Sequence, residues 1–317
     1  MKFGEIDKKV LSYLYHNSRE SLNKVGKACG VSREQVEYRI KKFESNGIIK
    51  KYMTTFNYER LGFKEFIIVW LKVNTKKDFI KNELIKSPNL TSIGEILNSF
   101  DLYADFVFKD KFSFEKYFNE FLSKHKNLIS DYNVFTSTFM EIYPLKSFGK
   151  KFSESNYSLI NNEPKINLPE KDLNILSKLD SNGRISALEI SSSAKMTAEG
   201  VAYRIKQLKK IGIINGTRIL FDMEKAGFYF TVLRLNLKNT SEQIRKKVKI
   251  FCRSHKNINA LSFGIGKFNS IVQFFYQREE EVRSAILDFR NSFDDLIINS
   301  ELLMIEKENH IRMLPLE

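Results

Sequence analysis

Glu34, Tyr38 and Lys41 stand four and three residues apart, and the same types return at the same spacing as Glu199, Tyr203 and Lys206. On a helix that turns Val36, Ile40 and Phe43 inward, this spacing puts all three on the opposite, solvent-facing side. Such a stripe suits the reading of a duplex groove. Glu accepts from a cytosine amino group, Lys reaches guanine or phosphate, and Tyr meets phosphate or a thymine methyl. Arg39 and Arg204 flank the stripe as candidate phosphate contacts, and Lys42 and Arg218 extend the cationic set. The outward letters are identical in the two copies while the core letters differ, Phe43 against Leu208. An ordinary solvated face is the competing reading, although surface residues drift more easily than core residues. Arg33 and Glu37 become Ala198 and Ala202, so the two helices cannot read identical sequences with equal strength.

Other reactive side chains do not assemble into a motif. His16, His125, His255 and His310 are scattered, none pairs with another at motif spacing, and each is expected on a surface or a helix end. Cys252 and His255 form a single Cys-x-x-His pair with no second pair nearby, so zinc is not expected, and Cys29 reads as core. "GIGKFNS" lacks the G-x-x-x-x-G-K-[ST] spacing of a phosphate loop and reads better as strand-turn-strand. No catalytic residue, metal or cofactor is assigned.

Net charge is +14, from 52 Lys plus Arg against 38 Asp plus Glu, which points to a polyanionic partner. The excess is uneven: residues 1–60 carry +6 and residues 61–147 only +1. Charge alone does not separate nucleic acid from a membrane surface; with the helical stripes, double-stranded DNA is the expected partner, held more tightly by the first unit. The apolar run "FIIVWL" is far short of the roughly 20 residues that span a bilayer. "MKFGEIDKKVL" has charges where a signal peptide needs an apolar core, so a cytoplasmic location is expected.

The stripe repeats because the chain does. A shift of 165 aligns Asp7 with Asp172, Arg19 with Arg184, Val36 with Val201 and Gly47 with Gly212 without a gap, and a shift of 168 later pairs Phe100 with Phe268. Each copy opens with three helical patterns; in the first, Ser32 and Gln35 form a capping box and Gly47 stops the third helix. Gly30 suits a left-handed turn residue, and Lys195 in its place is expected to reshape the second turn. "GIIKKYMTTFN" and "GIINGTRILFD" then read as strand, turn and strand, a small wing. The order βαββαβ that follows predicts a ferredoxin-like sandwich. The fold class is α+β, in two tandem copies. The boundaries are a winged helix-turn-helix over 1–60, a ferredoxin-like domain over 61–147, a polar linker over 148–167, a second helix-turn-helix over 168–225 and a second ferredoxin-like domain over 226–317.

Asp172, "ILSKL", "NGRIS" and "MTAEGVAYRIKQLKKIGIING", with "DKKVLSYL" and "VSREQVEYRIKKFESNGIIKKY", give the chain its resemblance to the Lrp/AsnC (feast/famine) transcription regulators, over nearly its whole length and twice. That resemblance implies a DNA-binding winged helix-turn-helix and a regulation domain that dimerises and often holds an amino acid at the interface. Family members ordinarily carry one such unit per chain, so two fused units imply an intrachain pseudo-dimer. Where the family has a Gly and, three residues on, an Asp, this chain has Asn98 and Asp101 in one half and Gly266 and Asn269 in the other. These are the candidate effector residues, with Asn98 expected to take the left-handed conformation. Two other functions fit the outline: a nonspecific architectural DNA binder, and an enzyme like the siroheme decarboxylases, which share this two-domain fold.

Overall fold

The computed structural model describes residues 3–146, 157–310 and 312–315. In the first half, helices α1 (Glu5–Asn17), α2 (Leu22–Cys29) and α3 (Arg33–Ser45) lead into strand β1 (Ile49–Phe56). They are followed by β2 (Glu65–Val73), α4 (Lys77–Ile85), β3 (Leu90–Ile96), β4 (Leu102–Phe108), α5 (Lys111–His125) and β5 (Ile129–Ile142). After the short strand β6 (Tyr157–Ile160), the second half repeats the order as α6 (Glu170–Ser181), α7 (Ala187–Ala194), α8 (Ala198–Lys210), β7 (Ile214–Phe221), β8 (Tyr229–Leu237), α9 (Glu242–Ser254), β9 (Ile258–Gly266), β10 (Ser270–Tyr276), α10 (Glu279–Phe293) and β11 (Ile297–His310).

Local chemistry explains the helix ends. The Gln35 amide N–H donates to the Ser32 hydroxyl and the Ser32 N–H to the Gln35 side-chain oxygen, both at 3.2 Å. Gly30 and Gly47 take φ of 73° and 64°, conformations that suit glycine. Lys195 keeps the left-handed conformation of Gly30, with φ 51°, so the expected reshaping of the second turn does not occur. Its N–H donates to the Ser191 carbonyl, which helps to hold a conformer disfavoured by roughly 1–2 kcal/mol.

The wings differ from expectation. Neither copy folds a strand-turn-strand; β1 and β7 are single strands that pair with each other across the halves in a two-stranded antiparallel sheet. Ile49 faces Phe221 and Phe56 faces Ile214, and these two pairs are images under the 165 shift. Met53 faces Arg218, its own counterpart, so a pseudo-two-fold axis passes between them. Flanking bonds obey the same symmetry: Ser18 N–H donates to the Thr217 carbonyl at 3.2 Å and Gly183 N–H to the Tyr52 carbonyl at 2.9 Å. This hinge sheet ties the two helix-turn-helix units together.

The ferredoxin-like halves also merge. Their strands run β2-β4-β3-β11-β8-β10-β9-β5, and a β2–β5 pairing closes the ring into an eight-stranded antiparallel barrel. The seams are β3 with β11 and β5 with β9, in which Ile96↔Ile305 and Ser137↔Gly264 are images under the 168 shift. β6 adds to the end of β5, so the segment expected to be linker from 148 to 167 contains a strand; positions 148–156 lie outside the described residues. Helices α4 and α5 pack one side of the barrel through Ile80, Leu84, Phe118 and Phe121, and α9 and α10 the other through Val248, Cys252 and Phe289. The barrel interior shares one core with the first helix-turn-helix, joining Val10, Leu14 and Phe43 to Trp70 and Phe135. Both cysteines are buried, as expected of core residues. Among the described residues no helix is long and apolar enough to cross a membrane.

Candidate nucleic-acid interface

Recognition helices α3 and α8 each bury one apolar row, Val36, Ile40 and Phe43 in the first and Val201, Ile205 and Leu208 in the second. Burial of those rows fixes what faces outward. Tyr38 is 65% exposed and Tyr203 60%, unusual for rings of that size, and Glu34, Lys41, Glu199 and Lys206 are exposed beside them. Hydrogen bonds from its own backbone amide and from Ser32 hold the Glu34 carboxyl below its ordinary range, keeping it an acceptor. The structure thus gathers the six-residue stripe in two matching sets.

The stripes are not equally free. Lys41 pairs with Glu37 at 2.9 Å, one turn away. At the equivalent place α8 carries Ala202, and Lys206 forms no ion pair among the described residues. Arg33 is exposed on the first turn of α3, and Lys42 is half-buried farther along the helix.

Three cations take other roles. Arg39 lies 3.2 Å from the Asp7 carboxylate, and Arg204 forms a two-pronged bond to Asp172, with Nε at 2.8 Å from Oδ1. These arginines brace α3 against α1 and α8 against α6 and do not stand free for phosphates. The aligned pair Asp7 and Asp172 was the available signal, since a carboxylate held at the same place in both first helices calls for a partner. Arg218 is only 7% exposed; it stacks on the Tyr15 ring at 4.6 Å and donates to its hydroxyl at 2.9 Å. It faces the interior from the hinge and cannot touch DNA there. Its counterpart Met53 already marks the position as inward.

The candidate effector turn is also committed elsewhere. Asn98 donates to the Leu302 carbonyl at 2.7 Å and accepts from the Met304 N–H at 2.8 Å, tying the turn to β11 of the other half. The left-handed residue is Ser99, φ 59°, not Asn98. Asp101 accepts from the Val73 N–H at 2.7 Å, and Asn269 accepts from the Leu237 N–H at 2.9 Å. A side chain at Gly266 would come within 2.5 Å of the Val134 carbonyl. The turns are seams between strands.

The histidines are likewise dispersed. His16, His125 and His255 stand at the C-terminal ends of α1, α5 and α9, as expected, the first two buried there, and His255 stacks on Phe251 and lies 3.4 Å from Asp288; the side chain of His310 lies outside the description. Among the described residues no group of three or more His, Cys, Asp or Glu is placed to hold a metal.

The family model for winged helix-turn-helix DNA-binding matches twice, over residues 4–50 and 168–215, which are the two three-helix units. The chain carries two winged helix-turn-helix units of the DNA-binding kind. It is 28% identical to an HTH-type transcriptional regulator of Pyrococcus furiosus across 39% of this chain and 86% of that protein. It is 27% identical to the regulator FL11 of the same organism, across 31% of this chain and 66% of FL11. In overall fold it is similar to the siroheme decarboxylase NirDL, with a TM-score of 0.60 over 96% of this chain and 92% of that one; at 14% identity this likeness speaks for the tandem fold alone.

Proposed function

We propose that this chain is a sequence-specific transcription regulator in which α3 and α8 enter major grooves of one duplex and read two similar but unequal half-sites. The observation that carries the reading is the pair of matched, exposed stripes on helices joined by the pseudo-symmetric hinge of β1 and β7. A two-fold arrangement of recognition helices asks for half-sites about one helical turn, or a multiple of it, apart. Inequality follows from Arg33 and Glu37 in α3 against Ala198 and Ala202 in α8, and from the +6 charge of residues 1–60. In this reading the two halves of the barrel act as an intrachain pseudo-dimer, and the chain is not an enzyme.

Selection of bound fragments from random DNA, followed by footprinting, tests the proposal. We expect an imperfect inverted repeat, and we expect Lys41→Ala and Lys206→Ala each to weaken binding and reduce its salt dependence by about one phosphate's worth. Protection without sequence boundaries would replace the regulator with an architectural binder, and unchanged binding by both variants would remove the groove assignment.

A further inference from the structure

Two hollows of about 360 and 240 Å³ adjoin on the outside of the barrel, meeting at Phe63, Lys109 and Pro315. Phe108 and Tyr117 of α5 wall the larger one, and the smaller one passes Ile166 and Leu168 to reach Leu173 of α6. Together they make an open trough from the first ferredoxin-like half to the second helix-turn-helix. Leu61, Ile166, Leu168 and Leu173 are only half-buried there, apolar surface that the fold leaves partly uncovered. Hollows of this size with mainly apolar walls and a few polar groups are the usual form of small-molecule sites.

Positive charge lines the rim. Lys109, Lys116 and Lys165 all border the trough, all are exposed, and none forms an ion pair among the described residues. The acids close to them in sequence are committed elsewhere: Asp110 accepts from the Ser113 N–H at 2.8 Å, and Glu163 pairs with Arg60 at 2.9 Å. Glu120 also reaches the wall, so three lysines against one carboxylate leave an excess of +2. The 168 shift carries the larger hollow onto another of about 220 Å³ beside His255 and Asp288, by position but not by chemistry. There Lys109 and Lys116 become Gln277 and Ser284, Tyr117 becomes Ala285, and Ser113 becomes Glu281. Two identical chains would carry the same hollow twice. Here the ring and the unpaired cations belong to one copy only.

We infer that the trough binds one linear apolar carboxylate per chain, its carboxylate between Lys109 and Lys116 and its hydrocarbon tail running past Phe63 onto Leu168 and Leu173. An apolar floor under a cationic rim selects a guest that is apolar along its body and anionic at one end. Two lobes joined at a waist suit a flexible chain better than a flat ring. So placed, the ligand ties α6 of the second helix-turn-helix to the first half of the barrel. The inference stands apart from the DNA reading, because its test uses no DNA.

Isothermal titration of the full chain with decanoate, repeated at several temperatures, tests the inference. The expected result is one site per chain with a negative heat-capacity change from buried apolar surface. Decyltrimethylammonium, with the same tail and the opposite charge, should bind at least about tenfold more weakly. Lys109→Gln combined with Lys116→Ser, the residues of the image hollow, should weaken decanoate at least about tenfold while melting stays cooperative, since both positions are exposed. Leu173→Ala should weaken it severalfold, which separates a tail that reaches α6 from one confined to α5. No binding at millimolar decanoate, a stoichiometry above one, equal affinity for the cationic probe, or unchanged affinity in either folded variant would overturn the proposal, leaving a solvated gap that adsorbs apolar ions without selection.

Discussion

At the residue scale, three side chains separate reading from holding. Glu37 neutralises Lys41 across one turn, so Glu37→Ala should free that lysine and tighten binding to selected DNA by roughly 2-fold at low salt; a gel-shift titration reads it. Arg204→Ala should leave affinity per folded molecule far less changed than stability. It strands the buried Asp172, and with Arg204 itself a third exposed the loss should be about 2–3 kcal/mol in denaturant unfolding. His16 supplies a pH signature. Burial, and secondarily the nearby Arg218 charge, press its pKa from 6.5 down to about 3, partly opposed by a backbone hydrogen bond at Tyr143. Because the folded value is the lower one, the unfolded chain binds the extra proton. Stability is therefore full above about pH 6.5 and falls as pH drops from there toward 3, by up to ~1.4 kcal/mol per unit. Burial also lowers the pKa values of His125 and His255, which add to the slope, so His16→Leu should flatten unfolding free energy against pH between 6 and 5 without abolishing the trend.

At the element scale, the hinge decides the spacing between recognition helices. A methyl group at Gly183 would come within 2.8–3.0 Å of the Met53 backbone, where no flexible side-chain end is available to give way. Gly183→Ala should shift the α6–α7 turn off β1 and cost about 1–3 kcal/mol of stability. Binding to a two-half-site fragment should fall more than binding to an isolated half-site, a comparison that fluorescence anisotropy makes directly. Much at this scale was legible in the sequence. The capping box at Ser32 and Gln35, the stop at Gly47, the amphipathic row of α3 and the βαββαβ order are local patterns, and the elements formed as they predict. The partner of β1 was not legible. Its hydrogen-bonding strand lies 165 residues away, and a short polar-apolar run followed by a small residue looks the same whether it turns back on itself or meets another strand. The burial of Arg218 had one faint signal, the methionine at its counterpart, whereas the commitment of Asn98 to β11 depends on a seam that only the folded barrel creates.

At the scale of the whole molecule, duplication has been followed by division of roles. Arg234, fully buried, lies with its guanidinium 4.6 Å from the Trp70 ring, 5.0 Å from Phe100 and 4.7 Å from Phe268, and it bonds Glu301 and Asn133. In the paired strands Trp70 faces Tyr103 and Arg234 faces Ile271, and positions 103 and 271 are related by the 168 shift, so Trp70 and Arg234 occupy equivalent places. The two halves have become complementary where exact copies would be only self-complementary. Two copies of the second half, joined in the same way, would set one buried guanidinium against another, a desolvated like-charge contact. Residues 1–147 and 168–317, produced as separate polypeptides, should accordingly reassemble with each other on mixing, while the second fragment alone resists pairing with itself; size-exclusion chromatography distinguishes these outcomes. Closure of the strand ring thus works as a lock and key within one chain, and the covalent link serves mainly to deliver the two parts in equal number.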